Sequence, residues 1–360
     1  MDSAAVIHGI NHIGNSLPVE NVQELASKKL TALPPRYIQS EIKTDGEVCV
    51  KDSLQIPAID MSKLVAGTGS DEHQTEMLKL HQACKDWGFF QLTNHGATTA
   101  VENMKTATKE FFQLPLEEKM VYAQLPGGLE GYGQSFVVSE DQKLDWCDMF
   151  YVCPIPVSTR NMKFWPKNPA SFRSSLEEFS HEMQKTCISL MEFTATNLGV
   201  KFKEFASMYV ECTQAIRMNY YPPCAQPEKA MGITPHSDGT LFTLLVQVNE
   251  VEGLQVRKDG KWVPIKPLPG DIIVNVGDSM EIITNGEYKS IEHRAVVNSE
   301  KERLSIAAFH NPSVEAKIGP LSDLVKENGA KYKTVKFEDY IKQFLGRKPD
   351  GKSMVDTVKI

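Results

Sequence analysis

Apolar residues recur at helical spacing through the first half of the chain and as short alternating runs through much of the second. Met77, Leu80 and Cys84 mark one helical face between Asp71 and Trp87, Val101 to Phe112 repeats the spacing, and Phe172 to Leu198 carries a long third pattern. A short amphipathic helix is expected from Val22 to Leu33, closed by Pro34 and Pro35, and Ile56 to Asp60 reads as a strand. From Gln214 to Pro312 the pattern breaks into short β runs punctuated by Gly253, Asp259-Gly260, Pro269-Gly270 and Asn285-Gly286, as antiparallel strands with tight turns require. Phe337 to Leu345 forms an amphipathic tail, followed by a polar run from Arg347 to Gly351. The expected fold is mixed α+β: a double-stranded β-helix, or jelly roll, buttressed by N-terminal helices and a C-terminal helix. Its expected zones are residues 1–54 (extension with a short helix), 55–210 (helical region), 211–312 (jelly-roll core) and 313–360 (C-terminal segment).

Composition narrows the function classes. A chain of 360 residues, 41% hydrophobic and 24% charged, is ample for one large core. The formal net charge of -7 and the lack of a basic stripe argue against nucleic acid as a partner and leave a small molecule. Seven cysteines without any C-x-x-C are read as reduced thiols. The amino terminus has no basic stretch leading into an apolar run, and no apolar run is long enough to span a bilayer. A cytoplasmic monomer with no membrane partner is the expectation.

The candidate chemistry begins at His236-Ser237-Asp238. The β-branched and apolar run Leu241 to Val248 follows it, and residues two apart on a strand project to one side, so His236 and Asp238 can reach one ion. With His293, two imidazoles and a carboxylate on one face of a divalent ion leave the opposite face open, the arrangement of non-heme Fe(II) oxygenases. The same spacing of two recurs at Asn219 with Tyr221 and at Arg303 with Ser305. A planar guanidinium grips a carboxylate through two parallel hydrogen bonds and hydroxyls complete the acceptor's shell, so Arg303, Ser305 and Tyr221 read as a clamp for an acidic co-substrate, with Asn219 nearer the metal. Lone histidines such as His81, His95 and His181 read as hydrogen-bonded structural residues, with His310 left open. The glycine-rich stretch Gly127 to Gly133 lacks the Gly-Lys-Ser/Thr ending of a phosphate loop, and Cys224, placed after two prolines with no adjacent base, reads as a packing residue.

Three further motifs carry a resemblance: Trp87-Gly88-Phe89-Phe90-Gln91 with Asn94-His95-Gly96, then Asn219-Tyr220-Tyr221-Pro222-Pro223-Cys224, then Gly286-Glu287-Tyr288-Lys289-Ser290-Ile291-Glu292-His293-Arg294. Over nearly its whole length the chain resembles the plant-type 2-oxoglutarate/Fe(II)-dependent dioxygenases. Ser16 to Leu25, Glu130 to Gln134, Leu144-Asp145-Trp146 and Asn249 to Val256 make it similar to the branch of codeine and thebaine O-demethylases and a norcoclaurine-synthase-like dioxygenase. The resemblance implies Fe(II) as cofactor, 2-oxoglutarate and O2 as co-substrates, ascorbate as reductant, and oxidation of a substrate C–H bond with release of succinate and carbon dioxide. It implies O-demethylation or hydroxylation of an aromatic specialised metabolite of plants, an alkaloid before a flavonoid, coumarin or other phenylpropanoid. In resembling enzymes the C-terminal tail packs beside the barrel mouth, and the positions of Phe309 and Arg217 face the substrate; Tyr132, Phe136 and Tyr151 are expected as further pocket walls. Gly239 departs from the larger side chain usual after the metal-binding Asp, which alters the room beside the iron. Two other classes stay open: a metal-independent condensing enzyme of the norcoclaurine-synthase kind, which needs an acid/base pair and no intact triad, and a silent binding protein on the same fold.

Overall fold

Alternation along the strands gives the main sheet one apolar face for helices and one mixed face for chemistry. A computed structural model describes residues 17–39, 46–49, 54–67, 69–134, 137, 139–209, 212–326, 329–346 and 354–360. The large sheet comprises β1 (Ala58–Asp60), β2 (Phe89–Thr93), β3 (Gly131–Gly133), β4 (Asp148–Ile155), β5 (Thr213–Tyr221), β7 (Phe242–Gln247), β10 (Ile272–Val276) and β12 (Arg303–Asn311). Its order is β1-β2-β10-β7-β12-β5-β4-β3. The small sheet, in the order β6-β11-β8-β9, contains β6 (Ile233–His236), β8 (Leu254–Lys258), β9 (Lys261–Pro264) and β11 (His293–Ala295). A short separate pair joins β13 (Lys317–Ile318) to β14 (Val335–Lys336). This is the expected jelly roll, and its large sheet reaches beyond the predicted core by taking β1 to β4 from residues before 211.

The helices are α1 (Val22–Ser27), α2 (Met61–Val65), α3 (Asp71–Gln82), α4 (Thr98–Gln113), α5 (Leu116–Met120), α6 (Phe172–Asn197), α7 (Phe202–Tyr209), α8 (Asp278–Ile283) and α9 (Phe337–Leu345). Leu176, Phe179, Met183 and Leu190 of α6 recur at three, four and seven residues, and this stripe joins the outward side chains Ile216, Met218, Leu244, Val246, Leu304 and Ile306 in one core. Phe111 of α4 adds ring contacts to Phe150 at 4.7 Å and Phe172 at 5.5 Å. Each fully buried side chain of this kind contributes roughly 1.5–3 kcal/mol, so the helical layer holds the outer face rigid and leaves the inner face for the site.

Local chemistry accounts for the departures from expectation. α1 stops at Ser27 and Lys29 takes a left-handed φ of 50°, so the helix is shorter than the apolar spacing to Leu33 predicted. Asp259-Gly260, at φ 50° and 77°, forms the predicted turn between β8 and β9. Asn285-Gly286 does not join two strands; it follows α8, a buried helix that the sequence reading missed. Residues 347–351 and Phe136 lie outside the described residues.

The first turn of α1 is capped from a distance. Asp148, fully buried on β4, accepts the N–H groups of Val22 and Gln23, each at 2.8 Å, where Asn21 offers no side-chain cap. Burial pushes its carboxyl up to about 6, against the pull of those hydrogen bonds and of Lys119. Truncating it strands two helix-end donors, so Asp148→Ala should lower stability by about 2–4 kcal/mol. Urea denaturation checks this; an unchanged midpoint would mean that α1 docks through its apolar contacts alone.

Candidate metal centre

His236 ends β6, His293 begins β11, and antiparallel pairing sets them opposite one another with ring centroids 4.2 Å apart. The Nδ1 of His236 lies 2.8 Å from the Thr234 carbonyl oxygen and that of His293 lies 3.1 Å from the Ile291 oxygen. A carbonyl only accepts, so these contacts place the proton on Nδ1 and leave the Nε2 lone pair for a metal. The two Nε2 atoms stand 3.6 and 3.7 Å from Asp238 Oδ1, too far for hydrogen bonds and close enough for one ion to sit among them. All three donor atoms fall within 4.8 Å of one another.

Asp238 lies past the end of β6, in the turn to β7, rather than on a strand as the spacing had implied. What orients it is two hydrogen bonds to its other oxygen: Thr243 Oγ1 donates to Oδ2 at 2.7 Å and Asn275 Nδ2 donates to it at 2.9 Å. Oδ1 is thereby left beside the two Nε2 atoms as a donor to a shared ion. Burial would raise this carboxyl, but the flanking His293 and His236 and those two donors hold it below the usual range. Burial, with His293 adjacent, lowers His236, so at neutral pH His236 offers a neutral imidazole and Asp238 an ionised carboxylate, the forms in which these groups ligate.

The predicted clamp is assembled by register. β12 pairs with β5 so that Arg303 faces Tyr221 and Ser305 faces Asn219, putting all four on adjacent rungs of the inner face. Asn219 Nδ2 donates to Ser305 Oγ at 3.3 Å, and the Arg303 guanidinium lies 5.0 Å from the Tyr221 ring centre. Arg303 donates to Gln247 Oε1 at 3.3 Å, while its buried Nε has no partner among the described residues. A buried guanidinium with an unfilled donor fits a carboxylate ligand. Glycines make room for it: a Cβ on Gly253 would lie 2.7 Å from Arg303 Cδ, and one on Gly232 would lie 2.8 Å from the Tyr221 ring.

The next rungs form the approach to the cluster. Arg217 pairs with Ala307 on one side and Tyr151 on the other, and Phe309 lies two residues further along the same face of β12. All three are partly accessible, and the buried Nε of Arg217 has no hydrogen-bond partner among the described residues. Tyr132 does not join them. It pairs with Phe150, so it faces the helices, with Phe111 and Phe112 at 6.1 and 6.3 Å and its hydroxyl 3.4 Å from Asp148. The α9 helix covers the turn after Asp238: a Cβ on Gly239 would meet Ile341 and Phe344 at 3.5 Å, so the room Gly239 leaves is filled by this helix. His310 is buried on the helix-facing side of β12, where Gln214 donates to it at 3.0 Å. His95 and His81 contact the Gly270 carbonyl and the Tyr288 hydroxyl, as structural histidines.

Comparison with known proteins gives the same reading. Residues 212–312 match the model of the 2OG-Fe(II) oxygenase superfamily, and residues 56–168 match that of the non-haem dioxygenase in morphine synthesis N-terminal region. S-norcoclaurine synthase 1 of Coptis japonica is 52% identical over 349 residues, covering 97% of this chain and 98% of that protein. The chain belongs to the 2OG-Fe(II) oxygenase superfamily. Within this superfamily, the oxoglutarate-dependent flavonoid 7-O-demethylase 1 of Ocimum basilicum is 49% identical, with 97% and 93% covered, and codeine O-demethylase of Papaver somniferum is 45% identical, with 97% and 98% covered. Among solved structures, JOX2 in complex with 2OG, Fe and JA superposes with a TM-score of 0.85 at 36% identity, covering 96% of this chain and 98% of that one. This chain is an oxidoreductase that uses Fe(II) and 2-oxoglutarate, and its donor set and the unfilled Arg303 suit both. No helix among the described residues is long and apolar enough to cross a membrane.

Proposed function

We propose that His236, Asp238 and His293 hold the iron, that Arg303, Ser305 and Tyr221 clamp the distal carboxylate of 2-oxoglutarate with Asn219 nearer the metal, and that the substrate is an oxygenated aromatic metabolite, either O-demethylated or hydroxylated. The observations that carry this reading are the convergence of the triad from the small sheet and its turn, and the inner face of the large sheet on which the clamp, Arg217, Tyr151 and Phe309 follow one another. Bound iron, with 2-oxoglutarate and dioxygen, supplies oxidation of a C–H bond, and 2-oxoglutarate leaves as succinate and carbon dioxide. The protein contributes placement: Thr243 and Asn275 aim Asp238, the backbone carbonyls fix both imidazole tautomers, and the rings of Phe309 and Tyr151 offer stacking faces. When the carbon attacked is an aryl methoxy group, the hydroxylated product is a hemiacetal that collapses to formaldehyde and a phenol, so the pose alone separates demethylation from hydroxylation.

Arg217 shapes the substrate reading. Its buried Nε, without a hydrogen-bond partner among the described residues, favours an acceptor such as a phenol or methoxy oxygen over a nearby ammonium. That supports a flavonoid or other phenylpropanoid beside the alkaloid reading, to which the norcoclaurine and codeine relatives lend support. We place the enzyme in the cytosol as a monomer with ascorbate as reductant. Incubating it with methoxylated alkaloids and flavonoids under Fe(II), 2-oxoglutarate and ascorbate, with succinate and formaldehyde both assayed, tests the proposal. Formaldehyde in step with succinate indicates O-demethylation, and succinate with an oxygen retained in the product indicates hydroxylation. Condensation of an amine with an aldehyde without 2-oxoglutarate consumption would overturn the oxidative reading.

A further inference from the structure

The buried helix α8 carries two carboxylates that the mechanism does not use. Among the apolar Met280, Ile282 and Ile283 stand Asp278 and Glu281, at 0% and 4% exposure. Burying carboxylates costs several kcal/mol apiece unless hydrogen bonds compensate, so a helix that merely filled this space would be expected to be apolar there.

Each carboxylate joins one ligand segment to one tyrosine of the C-terminal segment. The Asp278 N–H donates to the carbonyl oxygen of Asp238 at 2.7 Å, and Asp278 Oδ2 accepts from Ser237 Oγ, between the two ligands His236 and Asp238, at 3.2 Å. The same oxygen accepts from Tyr340 Oη of α9 at 2.8 Å. Glu281 repeats the pattern: Oε2 accepts the Ser290 N–H at 2.7 Å, three residues before His293, and Oε1 accepts from Tyr332 Oη at 2.7 Å. Ser279 Oγ donates to the Gly239 carbonyl at 2.7 Å, fastening the turn that Ile341 and Phe344 cover.

We propose that the C-terminal segment positions the metal ligands through two links, Tyr340–Asp278–Ser237 and Tyr332–Glu281–Ser290, making these tyrosines and carboxylates positioning residues of the metal centre. This rests on the reading that the triad binds the metal. One link fixes the His236 and Asp238 side of the cluster and the other fixes the approach to His293, so displacement of the C-terminal segment that carries Tyr332 and Tyr340 is felt at all three ligands.

Co(II), whose visible absorption reports ligand geometry, tests the links without turnover. Tyr340→Phe and Tyr332→Phe should each weaken Co(II) binding to the metal-free protein by about three- to tenfold and change its spectrum, somewhat less than the 10- to 100-fold typical of groups touching a ligand directly. The double variant should lose more than either single one, while Tyr37→Phe, a buried hydroxyl in the separate N-terminal cluster, leaves the curve unchanged. Should the double variant fail to fold, Ser237→Ala breaks the first link from its other end and is expected to give the Tyr340→Phe phenotype. Variants that lose only thermal stability, with Co(II) affinity and spectrum intact, overturn the proposal. A wild-type protein that takes up no Co(II), or that takes it up equally well as His236→Ala, overturns the metal reading beneath it instead.

Discussion

An Asp238→Asn variant should fold, bind no iron and give no substrate-dependent succinate. The side chains are nearly isosteric, so the loss would be electronic. Thr243 and Asn275 both donate to Oδ2, which requires an oxygen at that position. An asparagine satisfies them by turning its carbonyl toward them, and its NH2 group, which has no lone pair to offer a metal, then points between the two imidazoles. Replacement of a group that only supports a ligand costs 10- to 100-fold in affinity, so loss of the ligand itself should exceed about 100-fold. His236→Ala and His293→Ala should likewise abolish turnover, though they also open space beside the 4.2 Å ring contact. Metal titration beside a thermal melt of the metal-free protein separates these effects. Wild-type succinate production by Asp238→Asn would remove Asp238 from the metal centre.

The parts legible in the sequence are those whose geometry repeats locally. Arg303 with Ser305 and Asn219 with Tyr221 are each two apart on a strand, so alternation alone puts each pair on one face. Asp259-Gly260 announces a hairpin because both positions take positive φ. Alternation also explains the misplaced residue. One step separates Tyr132, facing the helices, from the inner face, and nothing in the short run Gly131 to Gly133 fixes which side is which until β3 pairs with β4. The α8 helix was hidden for another reason: it is buried on all sides, so its residues show no helical period to set against the preceding β10. Cross-strand partners were equally invisible. Asn275 reaches Asp238 from 37 residues away because β10 sets it opposite Thr243, and no local pattern encodes that register.

Arg303→Ala should raise the 2-oxoglutarate requirement by at least about thirtyfold, with a smaller effect on metal binding, because truncating one partner of a buried charged pair costs about 2–5 kcal/mol. Arg303 is 2% exposed and its Nε has no partner among the described residues, so the carboxylate would satisfy that donor. Arg303→Lys should recover only part of the loss, since an ammonium cannot present two parallel donors from the plane above Tyr221. Gly253→Ala offers an independent check that leaves Arg303 in place. Its Cβ would fall 2.7 Å from Arg303 Cδ and 2.9 Å from the Val296 carbonyl oxygen, so either the arginine stem or the backbone must shift, and the clamp is expected to weaken in the same direction. Succinate formation titrated against 2-oxoglutarate at saturating Fe(II) measures both variants. A curve for Arg303→Ala that overlays the wild type would take Arg303 out of the clamp, whereas a raised requirement in both variants would place the distal carboxylate where β5, β12 and the Gly253 turn converge.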